Sequence, residues 1–258
     1  MVIIVFCISA FLSILTISCQ QIPSAHTSLG TRAAIIDQLY TNYPNDEFTT
    51  KVTQILEDFG YGVDLYHGDD ITVSLYRNLP AYGYKLIIFR SHSGALTPNS
   101  QDLGAIMGTY LFTNESFNAA KYTKERLGKE LAPARIDTDA PSYFAIGPKF
   151  IVNSMEGRFN HTVIVVDGCS CIYKYDLAQA FTSKGASCYI AWDAMINLNY
   201  GDETMITLVD NLCSKRFTVS KAVYSTMAAE GPDQYYAVLK YYPPESADKT
   251  LEQLVQWG

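Results

Sequence analysis

The sequence predicts an α/β sandwich of three layers, in which helices flank a mostly parallel sheet of about six strands. Short apolar runs alternate with segments whose apolar residues recur at helical spacing. Two of the runs, Leu86–Phe89 and Thr162–Val166, are almost continuously apolar, which is typical of strands buried on both faces of a parallel sheet. The chain has 258 residues, 48% of them hydrophobic and 17% charged, which indicates one large globular domain.

The first half of the domain alternates strand and helix. A strand is predicted at Ala33–Tyr40, and Asp46 then offers the N-cap of an amphipathic helix that Gly60 ends. The elements that follow are a strand at Gly62–His67, a short helix at Ile71–Leu79 and the strand at Leu86–Phe89. Strands that alternate with helices imply crossover connections, and therefore parallel neighbours in the sheet.

The second half repeats this alternation after a long middle segment. Its predicted elements are the strand at Thr162–Val166, a helix at Asp176–Lys184 stopped by Gly185, a strand at Cys188–Trp192, helices at Glu203–Cys213 and Thr218–Ala229, and a last strand at Tyr236–Tyr242 ended by two prolines. We therefore expect a folded domain at 31–245 with an insertion at 95–160, followed by a C-terminal tail at 246–258.

The N-terminal segment has a different composition. The first 31 residues contain no Asp, Glu, Lys or Arg, and Val2–Ile17 is apolar apart from two serines and a threonine. This length lies between the apolar core of a signal peptide and a membrane-spanning helix. Residues 1–19 are therefore predicted to be a signal peptide or membrane anchor, and the polar stretch at 20–30 to be a linker.

Cys19 closes the apolar run and follows a small residue, as in a weak lipobox. Lipid attachment to Cys19 is one prediction, and an uncleaved anchor is the alternative. Two glycosylation sequons, at Asn114 and Asn160, are compatible with a body that works outside the cytoplasm. We expect an exported, extracytoplasmic protein that is membrane-associated through this segment or through a lipid.

The charge balance bears on partners. The chain has 19 Lys plus Arg against 26 Asp plus Glu, a formal net charge of −7. Such a chain offers no basic surface to neutralise phosphates, so nucleic acid is not an expected partner.

A histidine and a cysteine follow the two most apolar strands. His92 lies in the segment RSHSGA after Leu86–Phe89, and Cys169 lies in DGCSC after Thr162–Val166. The carboxyl ends of parallel strands meet at one edge of a sheet, so the two side chains are expected to lie near each other. A histidine beside a cysteine can take the thiol proton and later protonate a leaving amine. The pair therefore indicates acyl-transfer chemistry, with backbone N–H groups of these turns available to an oxyanion.

Other residues leave alternatives open. Cys171 is a second candidate nucleophile, and His67 ends another predicted strand and could replace His92. Cys188 and Cys213 are isolated, so no zinc spacing exists. Two acidic clusters could hold calcium, although solvated loop carboxylates are more common; they are Asp69 with Asp70 and Asp137 with Asp139. No cofactor is expected.

Three segments carry a resemblance to a known family. LIIFRSHSGA, TVIVVDGCSC and KYDLAQAFTSKGASCYIAWD together resemble the core of the caspase-like cysteine peptidases, the group that includes clostripain, gingipains, separase, caspases and CHAT domains. The resemblance covers 31–242 as an order of elements. It implies a caspase-like sandwich with His92 as general acid/base, Cys169 as nucleophile, and the backbone N–H groups of Ser93 and Cys169 as oxyanion donors. His-Ser-Gly where the family usually has His-Gly and the long insertion depart from the pattern.

The resemblance also implies a specificity. Clostripain-like members that cut after Arg or Lys carry acids two residues before the nucleophile and at the end of the following strand, where this chain has Asp167 and Asp193. A buried carboxylate pair would bind a cationic side chain through charge-assisted hydrogen bonds. The alternative is that Asp167 caps one loop and Asp193 starts another.

The expected function is that of a cysteine endopeptidase with a His-Cys dyad, acting on polypeptides and cleaving after Arg or Lys. The first alternative is a catalytically inactive caspase-like module for surface binding or signalling. A second is an ester or amide hydrolase for small molecules, which would use the same thiol chemistry.

Overall fold

Ten strands and eight α-helices lie in the part of the chain that the computed structural model describes, residues 31–96 and 108–256. The strands are β1 (Arg32–Asp37), β2 (Gly62–His67), β3 (Leu86–Arg90), β4 (Ser93–Leu96), β5 (Gly108–Ser116), β6 (Leu131–Ala134), β7 (Tyr143–Ile146), β8 (Thr162–Asp167), β9 (Ala186–Trp192) and β10 (Leu239–Tyr242). The helices are α1 (Asp46–Phe59), α2 (Val73–Asn78), α3 (Thr123–Leu127), α4 (Pro148–Asn153), α5 (Asp176–Ser183), α6 (Leu198–Cys213), α7 (Val219–Glu230) and α8 (Leu251–Val255).

Six strands form the central sheet in the order β10-β9-β8-β3-β1-β2. All neighbours are parallel except β10, which runs antiparallel to β9 at one edge. The two runs singled out from the sequence, β3 and β8, lie side by side in the middle and are buried along their whole length. The predicted mostly parallel sheet of about six strands is confirmed.

Helices cover both faces of this sheet. Alternate side chains of the strands pack on one face against apolar residues of α1, α6, α7 and α8. On the other face they pack against α2, α4 and α5 and against part of a smaller sheet. The predicted three-layer α/β sandwich is therefore the observed architecture.

The middle segment predicted as an insertion builds the smaller sheet. Four antiparallel strands follow one another in the order β4-β5-β7-β6. Strand β4 begins directly after His92, so the smaller sheet starts at the carboxyl edge of the central one. This placement makes β4 part of the surroundings of the candidate site.

Several element ends differ from the predicted ones. Asn45, not Asp46, caps α1, because its side chain accepts the Phe48 N–H at 3.0 Å. Strand β1 ends at Asp37 rather than Tyr40, and β10 begins at Leu239, after Tyr236 with a left-handed φ of 55°. Gly60 ends α1 in the left-handed region, as predicted.

The segment predicted as a C-terminal tail is part of the core. It contains α8, whose three apolar residues are buried against the face that α1 and α6 cover: Leu251, Leu254 and Val255. A capping box at Thr250 fixes the start of this helix. The domain thus extends to the end of α8.

The predicted signal or anchor at 1–19, the linker at 20–30 and Cys19 lie outside the described residues. Among the residues that are described, no helix is long and apolar enough to cross a membrane.

Gly185 provides a test of the packing between β8, α5 and β9. Its φ is +112°, and a Cβ built there would lie 2.2 Å from the Phe159 carbonyl oxygen. We expect Gly185→Ala to lower the free energy of unfolding by about 3 kcal/mol or more, because the positive φ disfavours a side chain and the Phe159 carbonyl oxygen leaves no room for one. Urea unfolding measures this decrease.

Gly83→Ala is the matched control. Gly83 also has a positive φ, +75°, but nothing lies within 4 Å of its added Cβ. Gly83→Ala should then lower the free energy of unfolding by only about 1 to 2 kcal/mol, the cost of the left-handed backbone conformation for alanine. Equal losses in the two variants would show that the close approach of Phe159 is not a constraint.

Candidate active site

His92 and Cys169 line one cavity at the carboxyl edge of the central sheet. They lie two residues beyond Arg90 and Asp167, which are paired in register at the ends of β3 and β8. The cavity has a volume of about 240 Å³, and its other walls are Leu39, Tyr43, Ser91, Asp167, Gly168, Ile196 and Leu198. The structure therefore brings together the two residues that separate sequence motifs suggested.

Contacts on both sides hold His92. Its backbone N–H donates to Gln38 Oε1 at 2.9 Å, and its carbonyl accepts the Phe112 N–H at 3.0 Å. The ring lies edge-on to Tyr43, with centroids 5.7 Å apart. Nε2 is buried and has no hydrogen-bond partner among the described residues. Burial, with a contribution from the Arg90 charge, lowers the pKa of His92, so the free imidazole is neutral at neutral pH.

Gln38 is fixed in turn by Asn114. The Gln38 Nε2 donates to Asn114 Oδ1 at 2.7 Å, and Asn114 Nδ2 donates to the carbonyls of Gln38 and Gly68. The amide of this sequon is thus occupied by internal hydrogen bonds, whereas Asn160 is exposed. Asn114 acts on His92 through the position of Gln38.

The turn that carries Cys169 requires a glycine before it. A Cβ on Gly168 would lie 2.7 Å from the Ser91 carbonyl oxygen, so β3 and β8 approach too closely for any side chain there. The Ser93 hydroxyl donates to the Cys169 carbonyl at 2.5 Å, and the Cys169 Sγ lies 4.0 Å from the Ile196 carbonyl oxygen. Burial raises the pKa of Cys169, so the resting side chain is a thiol.

The backbone N–H of Ser93 is directed away from β5. Because the Phe112 N–H bonds the His92 carbonyl, residues 92 and 112 form a hydrogen-bonded antiparallel pair, and the next residue along β4 points its backbone groups outward. The Cys169 N–H interacts with its own sulfur. The backbone N–H groups of Ser93 and Cys169, the two predicted oxyanion donors, therefore both lie outside the sheet ladders.

The alternative residues are placed elsewhere. Cys171 is fully buried, and burial raises its pKa far above the ordinary thiol range. His67 ends the edge strand β2, with β1 between that strand and β3, and its ring packs on Tyr40 at 4.5 Å. Neither residue lines the cavity with Cys169.

A buried ionic network lies below the cavity. Asp37, Arg90 and Asp167 end the adjacent strands β1, β3 and β8 in register. The Arg90 guanidinium donates to Asp37 Oδ1 at 2.8 Å and to both carboxylate oxygens of Asp202, in α6, at 2.6 and 2.9 Å. All of these side chains are almost fully buried. One guanidinium therefore serves two carboxylates, and Asp167 is a third acid beside them.

Asp167 is the acid that accepts no hydrogen bond from the Arg90 guanidinium. Its Oδ1 accepts the Trp192 indole N–H at 3.0 Å and lies against Gly201, while Oδ2 is buried without a hydrogen-bond partner among the described residues. Burial, together with the Asp202 charge, raises the pKa of Asp167 to about 8. The side chain is therefore mostly protonated at neutral pH, and it lines the same cavity as His92.

Asp193 does not join Asp167. Its Oδ1 accepts the Val238 N–H and its Oδ2 pairs with Lys240, both at 2.8 Å. It lines a second cavity, of about 610 Å³, which also reaches Cys169. The two carboxylates therefore line different cavities, and Asp193 already has a counter-ion in Lys240.

The sequence reasoning missed Asp37, Arg90, Asp202 and Gln38 as site residues. A usable signal existed for two of them, since Asp37 and Arg90 each follow an apolar run that the parallel register places beside Asp167. Asp202 and Gln38 reach the site from a helix and a loop, and only the three-dimensional packing reveals them.

The calcium candidates do not form a site. Within residues 31–96 and 108–256, no three His, Cys, Asp or Glu side chains are grouped to hold a metal ion. Asp137 Oδ1 instead accepts the backbone N–H groups of Asp139 and Ala140, as a loop-capping residue does.

No protein-family profile and no curated protein matches this chain. Solved structures do match, among them the Streptococcus pneumoniae TIGR4 flavodoxin, which is 14% identical, with a TM-score of 0.35, over 72% of this chain and 99% of the flavodoxin. A similarity this distant carries no functional information.

The state of Asp167 can be tested through stability. Its pKa is about 8 in the folded protein and 3.8 ordinarily, so between these values the unfolded chain releases a proton that the native state retains. Asp167 should therefore lower the free energy of unfolding of the wild type by about 1.4 kcal/mol for each unit that pH rises. Asp167→Asn lacks this contribution. We expect its free energy of unfolding, relative to that of the wild type, to increase by the same amount per pH unit, as measured by urea unfolding at about pH 5, 6 and 7.

Asp193→Asn serves as the control, because Asp193 is already paired with Lys240. The difference in free energy of unfolding between Asp193→Asn and the wild type should stay constant over the same pH range. A stability difference for Asp167→Asn that does not change with pH would mean that Asp167 is ionised in the native state.

Proposed function

We propose that this protein is a cysteine endopeptidase in which Cys169 is the nucleophile and His92 the general acid/base. One observation carries the proposal: His92 and Cys169 line the same cavity, where the imidazole has a buried Nε2 without a partner among the described residues. Nucleophilic acyl transfer needs a free ring nitrogen and an accessible thiol in one cavity, and His92 and the half-buried Cys169 supply these two groups.

The titration behaviour favours proton transfer during attack. The pKa of His92 is lowered and that of Cys169 is raised, both mainly by burial, so the resting pair is neutral. His92 would accept the thiol proton as sulfur attacks the substrate carbonyl, and would return it to the leaving amine. The N–H groups of Ser93 and Cys169 would stabilise the oxyanion, and water would then release the acyl group from sulfur.

The cavity suits a cationic side chain. Asp37 and Asp202 share a single guanidinium, that of Arg90. Asp167 accepts no hydrogen bond from this guanidinium and lines the cavity that holds the dyad. An arginine or lysine side chain would supply the missing positive charge and a charge-assisted hydrogen bond. We therefore propose cleavage after Arg or Lys, with Asp167 as the recognition residue and no role for Asp193 in this pocket.

The proposed setting is extracytoplasmic, at a membrane. It is supported by the composition of the first 31 residues, which lack charged side chains, and by the position of Cys19 after the apolar run.

Peptide hydrolysis tests the nucleophile and the specificity. The full-length protein is assayed with fluorogenic peptides that carry Arg, Lys, Asp, Leu or Ala before the scissile bond. We expect hydrolysis after Arg and Lys, and a loss of at least about a thousandfold in kcat/KM for Cys169→Ala and His92→Ala.

Cys171→Ala is the matched control, since this second cysteine is two residues away and lies outside the cavity. It should retain activity. Cleavage after residues other than Arg and Lys would be consistent with the His92–Cys169 dyad but would contradict the proposed recognition of a cationic side chain by Asp167. No cleavage of any peptide would favour the alternative, a non-enzymatic binding or signalling module.

The pH dependence of KM tests Asp167 separately. A cation binds the carboxylate better than the carboxylic acid, and Asp167 ionises at about pH 8. KM for an Arg peptide should therefore fall by up to about tenfold per pH unit as pH rises towards that value. In Asp167→Asn this slope should vanish, and KM should be high throughout. A wild-type KM that is flat over this range would contradict the assignment.

A further inference from the structure

A second cavity, of about 610 Å³, adjoins Cys169 on the side away from Asp167. Its walls include three exposed apolar or aromatic side chains, Tyr173, Met195 and Tyr235. Among the described residues of its wall, the one acid is Asp193, which is paired with Lys240. The described walls therefore suit an uncharged, apolar group.

Strand β4 forms one border of this cavity through Ser93, Gly94 and Ala95. It is the end strand of the smaller sheet in the described part of the chain. Since residues 92 and 112 are a hydrogen-bonded pair, the alternation of the antiparallel ladder directs the backbone N–H and C=O groups of Ser93 and Ala95 away from β5. These groups can pair with an extended peptide.

The two cavities share Cys169 but lie towards opposite faces of the central sheet. Asp167, in the first, projects to the face covered by α1 and α6, where it meets Trp192 and Gly201. The second includes Thr109 and the β4 residues of the smaller sheet, which packs on the other face. A peptide with its scissile carbonyl at Cys169 and its cationic side chain beside Asp167 would therefore continue into the second cavity.

We propose that the second cavity is the subsite for the part of the substrate that follows the scissile bond. That segment pairs as an extended strand with the free edge of β4 and places an apolar side chain against Tyr173 and Met195. The inference rests on the proposed endopeptidase function and adds a second determinant of specificity to it. The strand edge continues directly from Ser93, whose N–H is the proposed oxyanion donor, so one strand would hold both the reacting carbonyl and the leaving segment.

The test compares two kinds of substrate with the full-length protein. Internally quenched peptides share one sequence up to Arg and carry Leu, Phe, Ala or Asp after it, whereas an acyl-Arg methyl ester has only methanol as leaving group. Leu and Phe peptides should exceed the Asp peptide in kcat/KM by at least about tenfold. Tyr173→Ala and Met195→Ala should reduce this preference, and should affect kcat/KM for the Leu and Phe peptides more than kcat/KM for the ester.

Tyr224→Ala is the matched control, because Tyr224 is also exposed but lies in α7, outside the walls of this cavity. It should behave as the wild type with both substrates. Strand pairing has its own test: N-methylation of successive residues after the scissile bond should reduce kcat/KM at alternate positions only, because alternate N–H groups of a strand face its partner.

The outcomes separate the two proposals. Normal ester hydrolysis with no preference after the scissile bond, or with an unchanged preference in both cavity variants, would overturn the subsite and leave the peptidase intact. If neither ester nor peptide is hydrolysed, the proposed function fails and the subsite fails with it.

Discussion

The contact between Arg90 and the carboxylates of Asp37 and Asp202 is the interaction on which the site depends. It joins β1, β3 and α6 directly, and the Asn45 side chain, which caps α1, also bonds Asp202 at 2.7 Å. A buried guanidinium is tolerated only when its donors are satisfied, and removing it would leave two uncompensated acids at a cost of about 3 to 5 kcal/mol. Because His92 follows Arg90 by two residues, this network also fixes where the imidazole leaves the sheet.

The same network explains why Asp167 differs from its neighbours. Asp37 and Asp202 occupy the Arg90 donors, so Asp167 has a hydrogen bond from Trp192 but no cation within the described residues. A carboxyl group in this position keeps its proton, as its raised pKa indicates. If the proposed function holds, a cationic side chain in the cavity would stabilise the ionised form of Asp167, and this is a physical reason to expect such a side chain there.

The sequence predicted the central sheet because its evidence is local: apolar runs of strand length, and glycines such as Gly60 and Gly185 that end helices. The meeting of His92 and Cys169 followed from one topological rule, that parallel strands present their carboxyl ends at one edge. Pairings between distant segments could not be predicted in this way. Lys240 neutralises Asp193 only because β10 lies antiparallel to β9, and the smaller sheet depends on pairings within a segment that has no strong strand pattern.

Binding and activation are coupled in this arrangement if the proposed function holds. Burial is the main cause of the raised pKa of the Cys169 thiol, and the Asp167 charge adds to it. An ionised Asp167 without a partner would therefore oppose formation of the thiolate. A cationic side chain that ionises Asp167 also compensates its charge, so the correct substrate removes this obstacle as it binds. A substrate with a neutral side chain leaves Asp167 protonated and forms no charge-assisted hydrogen bond with it. Asp167 would thus contribute to specificity, while the thiol of the substrate-free protein stays unreactive.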